Sequence, residues 1–243
     1  MQLTERMNAW GCLAVVLAGL AGCQSTAMDE GADYHDPARF EKAVAKYEKQ
    51  DAKEMPPRGA VVGVGSSSMR MWAGDISKDL APLTIIPRGF GGSNMNDLLH
   101  YVDRLVLVHQ PRAVVIYEGD NDIAQGVSPV KITRTFERLV DVIHEALPKC
   151  RVYMLSIKPS PARWGMWPEM LRANRLLAEA CEADSRLTYI DIAKPMLGGD
   201  GRPRAELYVK DRLHMTRAGY EVWRDAVRPV LVEAEKTHER AAE

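Results

Sequence analysis

The chain has 243 residues and a formal net charge of −1, with 32 basic and 33 acidic side chains scattered along it. This length suits one large domain or two small ones, and an apolar share of 46% is enough to build one full core. The basic residues form no continuous stripe, which argues against a nucleic-acid partner.

The first segment has the layout of a secretory signal. Arg6 precedes an apolar run at residues 12–21, which is too short to span a bilayer as a helix. The run leads into the sequence LAGC, which resembles the lipobox of bacterial lipoproteins. That resemblance implies removal of residues 1–22, a lipid anchor on Cys23 and, because Gln24 follows, the periplasmic side of the outer membrane. An ordinary signal peptide with a coincidental cysteine is the alternative.

Two elements are predicted after the signal segment, first a flexible tether and then a helix. Residues 23–35 are small, polar and acidic, which predicts a flexible tether. Asp36 and Pro37 then suit an N-cap and a first helical position, so residues 36–57 are predicted to hold one amphipathic helix that ends near Lys53. The apolar residues at helical spacing are Phe40, Val44 and Tyr47.

A main domain over residues 58–238 is predicted from alternating patterns. Short β-branched runs alternate with longer segments of helical periodicity, which predicts a three-layer α/β/α sandwich around a five-stranded, mostly parallel sheet. The predicted strands are 61–64, 83–86, 113–117, 152–157 and 187–192, and the predicted helices are 95–108, 130–147, 167–181 and 217–234.

Proteins with such parallel sheets bind their ligands beyond the carboxyl ends of the strands. Five segments of this chain are therefore candidates for the functional site. Four of them carry unusual residues: GSSS after the first strand, RGFGGSN after the second, EGDND after the third, and KDRLHM before the last helix. The fifth is the loop 158–164. A serine, an asparagine, glycine-rich backbone and an Asp-x-x-His turn are the parts that a Ser-His-Asp hydrolase needs.

The four segments resemble, in order, blocks I, II, III and V of the SGNH or GDSL-like hydrolases. The resemblance implies hydrolysis of carboxylic esters through an acyl-serine intermediate, without metal or cofactor. By that resemblance Ser67 is the nucleophile, His214 is the general base and Asp211 orients it. The backbone of Ser67, the backbone of Gly92 and the side chain of Asn121 supply the oxyanion hole.

The sequence departs from the family pattern and leaves alternatives open. Block I usually reads Gly-Asp-Ser, whereas Ser66 stands at the Asp position here, so Ser66 or Ser68 could replace Ser67 as nucleophile. The Gly-Ser-Ser-Ser form resembles a lipoprotein-like branch of the family. Pro87, where relatives often carry a polar residue, predicts a stiffer second block.

Three other functions compete with ester hydrolysis. An acyltransferase would use the same residues on an envelope glycan, and an inactive lipoprotein would only bind glycan or lipid. A nucleotide-binding fold is disfavoured because the fragment GVGSSS lacks the third glycine of the dinucleotide motif. The expected partner is an ester substrate, with small acyl or acetyl esters of a glycan or lipid favoured.

Two further groups of residues are ambiguous in the sequence. Cys150 opens a predicted strand and Cys181 ends the next helix, so the two thiols are predicted to be close enough for a disulfide in an oxidising compartment. Three tryptophans near the predicted site could form a platform for a sugar or acyl group, or could be ordinary packing. They are Trp72, Trp164 and Trp167.

Overall fold

The computed structural model describes residues 31–239, and the predicted signal segment 1–22 with Cys23 lies outside them. Its strands are β1 (Val61–Gly65), β2 (Ile85–Gly89), β3 (Ala113–Tyr117), β4 (Arg151–Leu155) and β5 (Leu187–Ile190). They form one parallel sheet in the order β2-β1-β3-β4-β5. The predicted five-stranded sheet is therefore confirmed, and it is parallel throughout.

Helices cover both faces of this sheet. They are α1 (Glu41–Asp51), α2 (Ser67–Trp72), α3 (Ile76–Asp79), α4 (Met95–Leu105), α5 (Asp120–Gln125), α6 (Pro129–Ala146), α7 (Trp167–Glu182) and α8 (Arg217–Glu235). Helices α1, α4, α6 and α7 pack on one face and α2, α3 and α8 on the other. Neighbouring strand residues alternate between the two cores, as Val61 and Val62 do, which explains why the strands read as continuous apolar runs. The three-layer α/β/α architecture is confirmed.

The second strand differs from its predicted position. It runs from Ile85 to Gly89 and so includes Pro87, which pairs with Gly63 of β1. Proline is tolerated there because β2 is an edge strand, with a neighbour on one side only. The buried side chain of Arg88 in this strand forms an ion pair with Asp51 of α1, with a nitrogen–oxygen distance of 2.5 Å. The edge strand thereby fixes the end of the N-terminal helix.

The N-terminal helix begins where the sequence predicts. The side chain of Asp36 accepts a hydrogen bond from the backbone of Ala38 at 2.9 Å, and a 3₁₀ turn over Pro37–Phe40 leads into α1. Val44 is fully buried and the Tyr47 hydroxyl donates to the carbonyl of Gly89 at 2.6 Å. This helix therefore packs on the main domain and belongs to the same hydrophobic core as α4, α6 and α7.

The predicted tether is wrong over residues 31–34, where the chain lies on the domain. The backbone N–H of Ala32 donates to the carbonyl of Gly126 at 2.8 Å, and the Gln125 side chain donates to the carbonyl of Asp33 at 2.8 Å. Tyr34 packs against the core beneath α6. Hydrogen-bond partners at the end of α5 thus order a segment whose composition alone predicts mobility. Among residues 31–239, no helix is long and apolar enough to cross a bilayer.

The ambiguous cysteines and tryptophans are mostly core residues. Cys150 and Cys181 are buried and both carry free thiols, so the disulfide hypothesis is wrong in this structure. Trp72 is fully buried against Tyr220 and Trp223 in the core under α8. Trp167 is also buried, and Trp164 stacks on it with ring centroids 5.8 Å apart.

Candidate active site

The turn after β1 places Ser67 at the carboxyl edge of the sheet. Gly65 ends the strand with φ +145°, and a Cβ on it would lie 2.1 Å from the carbonyl oxygen of Tyr117 in β3. Only glycine permits this approach of the two backbones. The backbone N–H of Ser66 then donates to the same carbonyl at 3.1 Å, and Ser67 begins α2.

The segment before α8 brings an acid and a base to this serine. His214 Nε2 lies 2.8 Å from Ser67 Oγ, and His214 Nδ1 lies 2.6 Å from Asp211 Oδ2. The other carboxylate oxygen of Asp211 accepts the backbone N–H groups of Leu213 and His214, each at 2.9 Å. The hydrogen bond from His214 and these backbone bonds lower the pKa of Asp211 to about 2. The carboxylate therefore stays ionised over the range in which imidazole titrates.

The geometry distinguishes the three consecutive serines. Ser67 is the one whose hydroxyl lies within hydrogen-bond distance of His214. The hydroxyl of Ser66 is buried and has no hydrogen-bond partner in the part of the chain that the structure describes. Ser68 is buried, and its carbonyl accepts the hydroxyl of Tyr220 at 2.9 Å. Only Ser67 is therefore placed to lose a proton to the imidazole.

A pocket of about 410 Å³ opens over Ser67 and contains both other residues predicted for the oxyanion hole. Gly92 adopts φ +91°, a left-handed conformation that favours glycine. Within residues 31–239, the backbone N–H groups of Ser67 and Gly92 have no hydrogen-bond acceptor, so both are available to a ligand. The lining residues are Ser67, Arg70, Gly91, Gly92, Asn121, Arg163, Leu213 and His214.

The side-chain amide of Asn121 is held on two sides. Its Nδ2 donates to the carbonyl of Ser93 at 2.8 Å, and its Oδ1 accepts from Arg163 Nη2 at 2.9 Å. The second hydrogen of Nδ2 has no acceptor among the residues that the structure describes. Because Arg163 can only donate, the oxygen of the amide must face it and the nitrogen must face Ser93 and the pocket.

Comparison with known proteins agrees with this geometry. The model of the GDSL-like lipase/acylhydrolase family matches residues 59–222, which is more than half of the chain. The chain belongs to this family. Among curated proteins, none matches the sequence.

Solved structures of GDSL-like hydrolases share the fold at low sequence identity. A GDSL-like lipase from Bacteroides thetaiotaomicron is 20% identical with a TM-score of 0.66, covering 79% of this chain and 98% of that one. A protein from Bacteroides fragilis described as an acylhydrolase is 20% identical with a TM-score of 0.66, over 84% and 99% of the two chains. A catalytic mutant of an acetylxylan esterase from Geobacillus stearothermophilus is 15% identical with a TM-score of 0.60, over 71% and 94%.

In this GDSL-like hydrolase a buried charge network supports Arg163. Arg163 Nη1 donates to the carbonyl of Asp120 at 2.8 Å and lies 3.3 Å from its carboxylate, which also accepts from Lys158 Nζ at 3.2 Å. Burial opposes ionisation of Asp120, but the charges of Lys158 and Arg163 hold its pKa below the ordinary value. The same burial lowers the pKa of Lys158, against the attraction of Asp120. Sequence reasoning missed both cations, although they lie in the loop 158–164 that follows β4.

Two buried carboxyl groups anchor the glycine-rich loop from below. The hydroxyl of Ser93 lies 2.5 Å from Glu118 Oε1, and the backbone N–H of Met95 donates to Asp122 Oδ1 at 3.0 Å. Both carboxyl groups are fully buried, and burial raises the pKa of Glu118 well above its ordinary value and that of Asp122 to about 7. The loop that carries Gly92 is thus tied to the end of β3 and the start of α5.

Among residues 31–239, no group of three or more His, Cys, Asp or Glu side chains has an arrangement that could hold a metal ion. The polar groups of the pocket are instead a hydroxyl, an imidazole, two guanidinium groups, an amide and free backbone donors.

Proposed function

We propose that this family member hydrolyses carboxylic esters through an acyl-Ser67 intermediate. The observation that carries the proposal is the continuous hydrogen-bonded series from Asp211 through His214 to Ser67 Oγ, with distances of 2.6 and 2.8 Å. A serine hydroxyl is a weak nucleophile unless an adjacent base removes its proton as it attacks. His214 is placed for that role, and Asp211 fixes the ring tautomer that leaves Nε2 free to accept.

The reaction follows from these positions. Ser67 Oγ attacks the ester carbonyl while its proton moves to His214 Nε2, and the carbonyl oxygen becomes an oxyanion. The N–H groups of Ser67 and Gly92 and the free hydrogen of Asn121 Nδ2 stabilise this charge. The carbon–oxygen bond to the alcohol then breaks, and the alcohol leaves with the proton from His214. A water molecule, deprotonated by His214, attacks the acyl-serine and releases the acid and Ser67.

The pocket favours small acyl groups, including acetyl. Among its described lining residues, Leu213 is the one with an aliphatic side chain, so a long acyl chain would find little apolar surface to cover it. The fold similarity to an acetylxylan esterase is consistent with a short acyl group. The alcohol part is proposed to be a glycan or a lipid of the cell envelope.

The proposed location is the periplasmic side of the bacterial envelope, with a lipid anchor on Cys23. The support is the apolar run at residues 12–21 followed by the LAGC sequence. Expression of the full chain and of Cys23→Ser in a Gram-negative host tests this. We expect the original chain in the membrane fraction with an acylated mature N-terminus, and the variant in the soluble periplasmic fraction. An unacylated original chain in the soluble fraction would contradict the anchor.

The esterase proposal is tested with p-nitrophenyl acetate, butanoate and octanoate. We expect turnover by the purified protein that decreases with acyl length and disappears in Ser67→Ala. Ser66→Ala is the matched control, since the Ser66 hydroxyl forms no hydrogen bond with any described residue. Activity that survives in Ser67→Ala would exclude Ser67 as nucleophile, and a folded protein without turnover of any of these esters would contradict hydrolysis.

A further inference from the structure

The charged groups that line the pocket are cationic. Among its described lining residues, Arg70 and Arg163 carry guanidinium groups, and no carboxylate is present. Arg163 is committed to Asn121 and Asp120. Arg70, in contrast, has an exposed side chain that forms no hydrogen bond, ion pair or ring contact with any residue in the range 31–239. One guanidinium beside the reactive serine is therefore free to bind a ligand.

Arg70 is placed close to the reacting atoms by the helix and the glycine loop. It lies three residues after Ser67 on α2, so the two side chains leave neighbouring points on one helix face. Its guanidinium lies over Gly91, where a Cβ would be 2.8 Å from Nε and 3.2 Å from Nη2. The absence of a side chain on Gly91 thus makes room for this group next to Gly92, which supplies an oxyanion donor.

Among residues 31–239, no carboxyl group forms an ion pair with Arg70, and the nearby carboxyl groups have other partners. Asp211 is bonded to His214, and Asp120 is bonded to Lys158 and Arg163. Glu118 is fully buried, and its burial raises the pKa of this carboxyl group well above the ordinary value, which disfavours a negative charge there. An unpaired guanidinium presents a planar fork of donors that suits the two oxygens of a carboxylate, or those of a phosphate.

We propose that Arg70 binds an anionic group of the substrate near the scissile ester, so that the preferred esters of this enzyme are negatively charged. This inference rests on the proposed esterase function. It names a substrate class, namely esters with a carboxylate or phosphate within a few bonds of the carbonyl, on the acyl or the alcohol side. Arg70 is then a specificity-determining residue, which binds the substrate outside the bonds that change.

The test compares charged and neutral esters of nearly equal shape. On the acyl side, 4-nitrophenyl hemiadipate is compared with the analogue in which its free carboxylate is a primary amide. On the alcohol side, 3-carboxyphenyl butanoate is compared with 3-carbamoylphenyl butanoate. The enzymes are the original protein, Arg70→Gln and Arg70→Lys. Arg172→Gln is the matched control, because Arg172 is exposed on α7 and does not line the pocket. The readout is the ratio of kcat/KM for the charged ester to that for the neutral one.

We expect a charged-to-neutral ratio above one in at least one pair, and a fall of that ratio by about 10- to 100-fold in Arg70→Gln, the range of a charge-assisted hydrogen bond. Arg70→Lys should retain part of the preference and Arg172→Gln all of it. Turnover of the neutral ester by Arg70→Gln serves as the control for folding.

Two results would overturn the inference and leave the esterase function intact. One is equal turnover of charged and neutral esters by the original protein, and the other is a preference that Arg70→Gln retains in full. If the folded original protein hydrolyses none of the four esters, both the esterase proposal and the role of Arg70 are overturned. Ser67→Ala, assayed beside these variants, separates the cases, since it must abolish turnover of every ester if the nucleophile is right.

Discussion

Arg163 Nη2 and Asn121 Oδ1 are joined by a hydrogen bond of 2.9 Å, which orients the amide that we assign to the oxyanion hole. The guanidinium lies in turn against Asp120, the residue that precedes Asn121 in α5. A charged donor on the oxygen of an amide also polarises its N–H bonds, because hydrogen bonds in series strengthen one another. We therefore propose that Arg163 is a positioning residue that acts on catalysis through Asn121.

Asn121→Ala should lower kcat by about 10²–10³, the usual cost of removing one oxyanion donor. Arg163→Met should lower kcat by a smaller factor with little change in KM, because the amide remains but is no longer oriented. In the Asn121→Ala background, Arg163→Met should have almost no further effect on kcat. Kinetics of the two single variants and the double variant measure this coupling. Independent, multiplicative losses would show that Arg163 does not act through Asn121.

Ser66→Ala should leave turnover unchanged and should not destabilise the protein. The Ser66 hydroxyl is buried without a partner among the described residues, and removal of such a group lifts a desolvation cost of roughly 1–3 kcal/mol. Denaturant unfolding of both proteins measures the difference. A clear loss of stability in the variant would mean that the hydroxyl has a partner, such as an ordered water molecule.

Asp122 should make the protein less stable as the pH rises from about 4 to 7. Burial raises the pKa of this carboxyl group to about 7 in the folded state, from the ordinary 3.8. Within this window the folded protein keeps a proton that the unfolded chain has released, so the free energy of unfolding decreases with pH by up to about 1.4 kcal/mol per unit. Asp122→Asn, which resembles the protonated form, should reduce this slope. Equal slopes in denaturant titrations at pH 4.5, 5.5 and 6.5 would refute the assignment.

Cys150 and Cys181 should both react with a thiol reagent once the protein is denatured without reductant. In the native protein they should react slowly, because burial raises the pKa of each thiol to about 12 and excludes the reagent. Mass spectrometry after labelling counts the modified thiols. Unlabelled cysteines in the denatured, unreduced protein would restore the disulfide hypothesis.

The sheet and the order of its helices could be predicted because both faces of each central strand are buried, which leaves continuous runs such as Val61–Val64 in the sequence. The positions of Ser67 and Asn121 just after strands follow from that pattern, whereas His214 lies in the segment before α8 and is identified by its Asp-x-x-His turn. The hydrogen bond between Arg163 and Asn121 could not be predicted from that pattern, since it joins residues 42 positions apart and depends on side-chain conformation. Composition also gives the wrong prediction for residues 31–34, because the order of this segment depends on hydrogen bonds to Gln125 and Gly126 at the C-terminal end of α5.

The bond between Ala32 and Gly126 has a mechanical consequence for an anchored enzyme. It fixes the chain to the C-terminal end of α5, the helix that carries Asn121 at its start. Seven residues lie between Cys23 and Gly31, and the eight peptide units that join these two residues reach at most about 28 Å when fully extended. If Cys23 is lipidated, as we propose, this short segment keeps the active site close to the membrane surface. In the proposed location, such an anchored enzyme would reach esters at the bilayer surface and in the layer directly above it, and would not reach the whole depth of the periplasm.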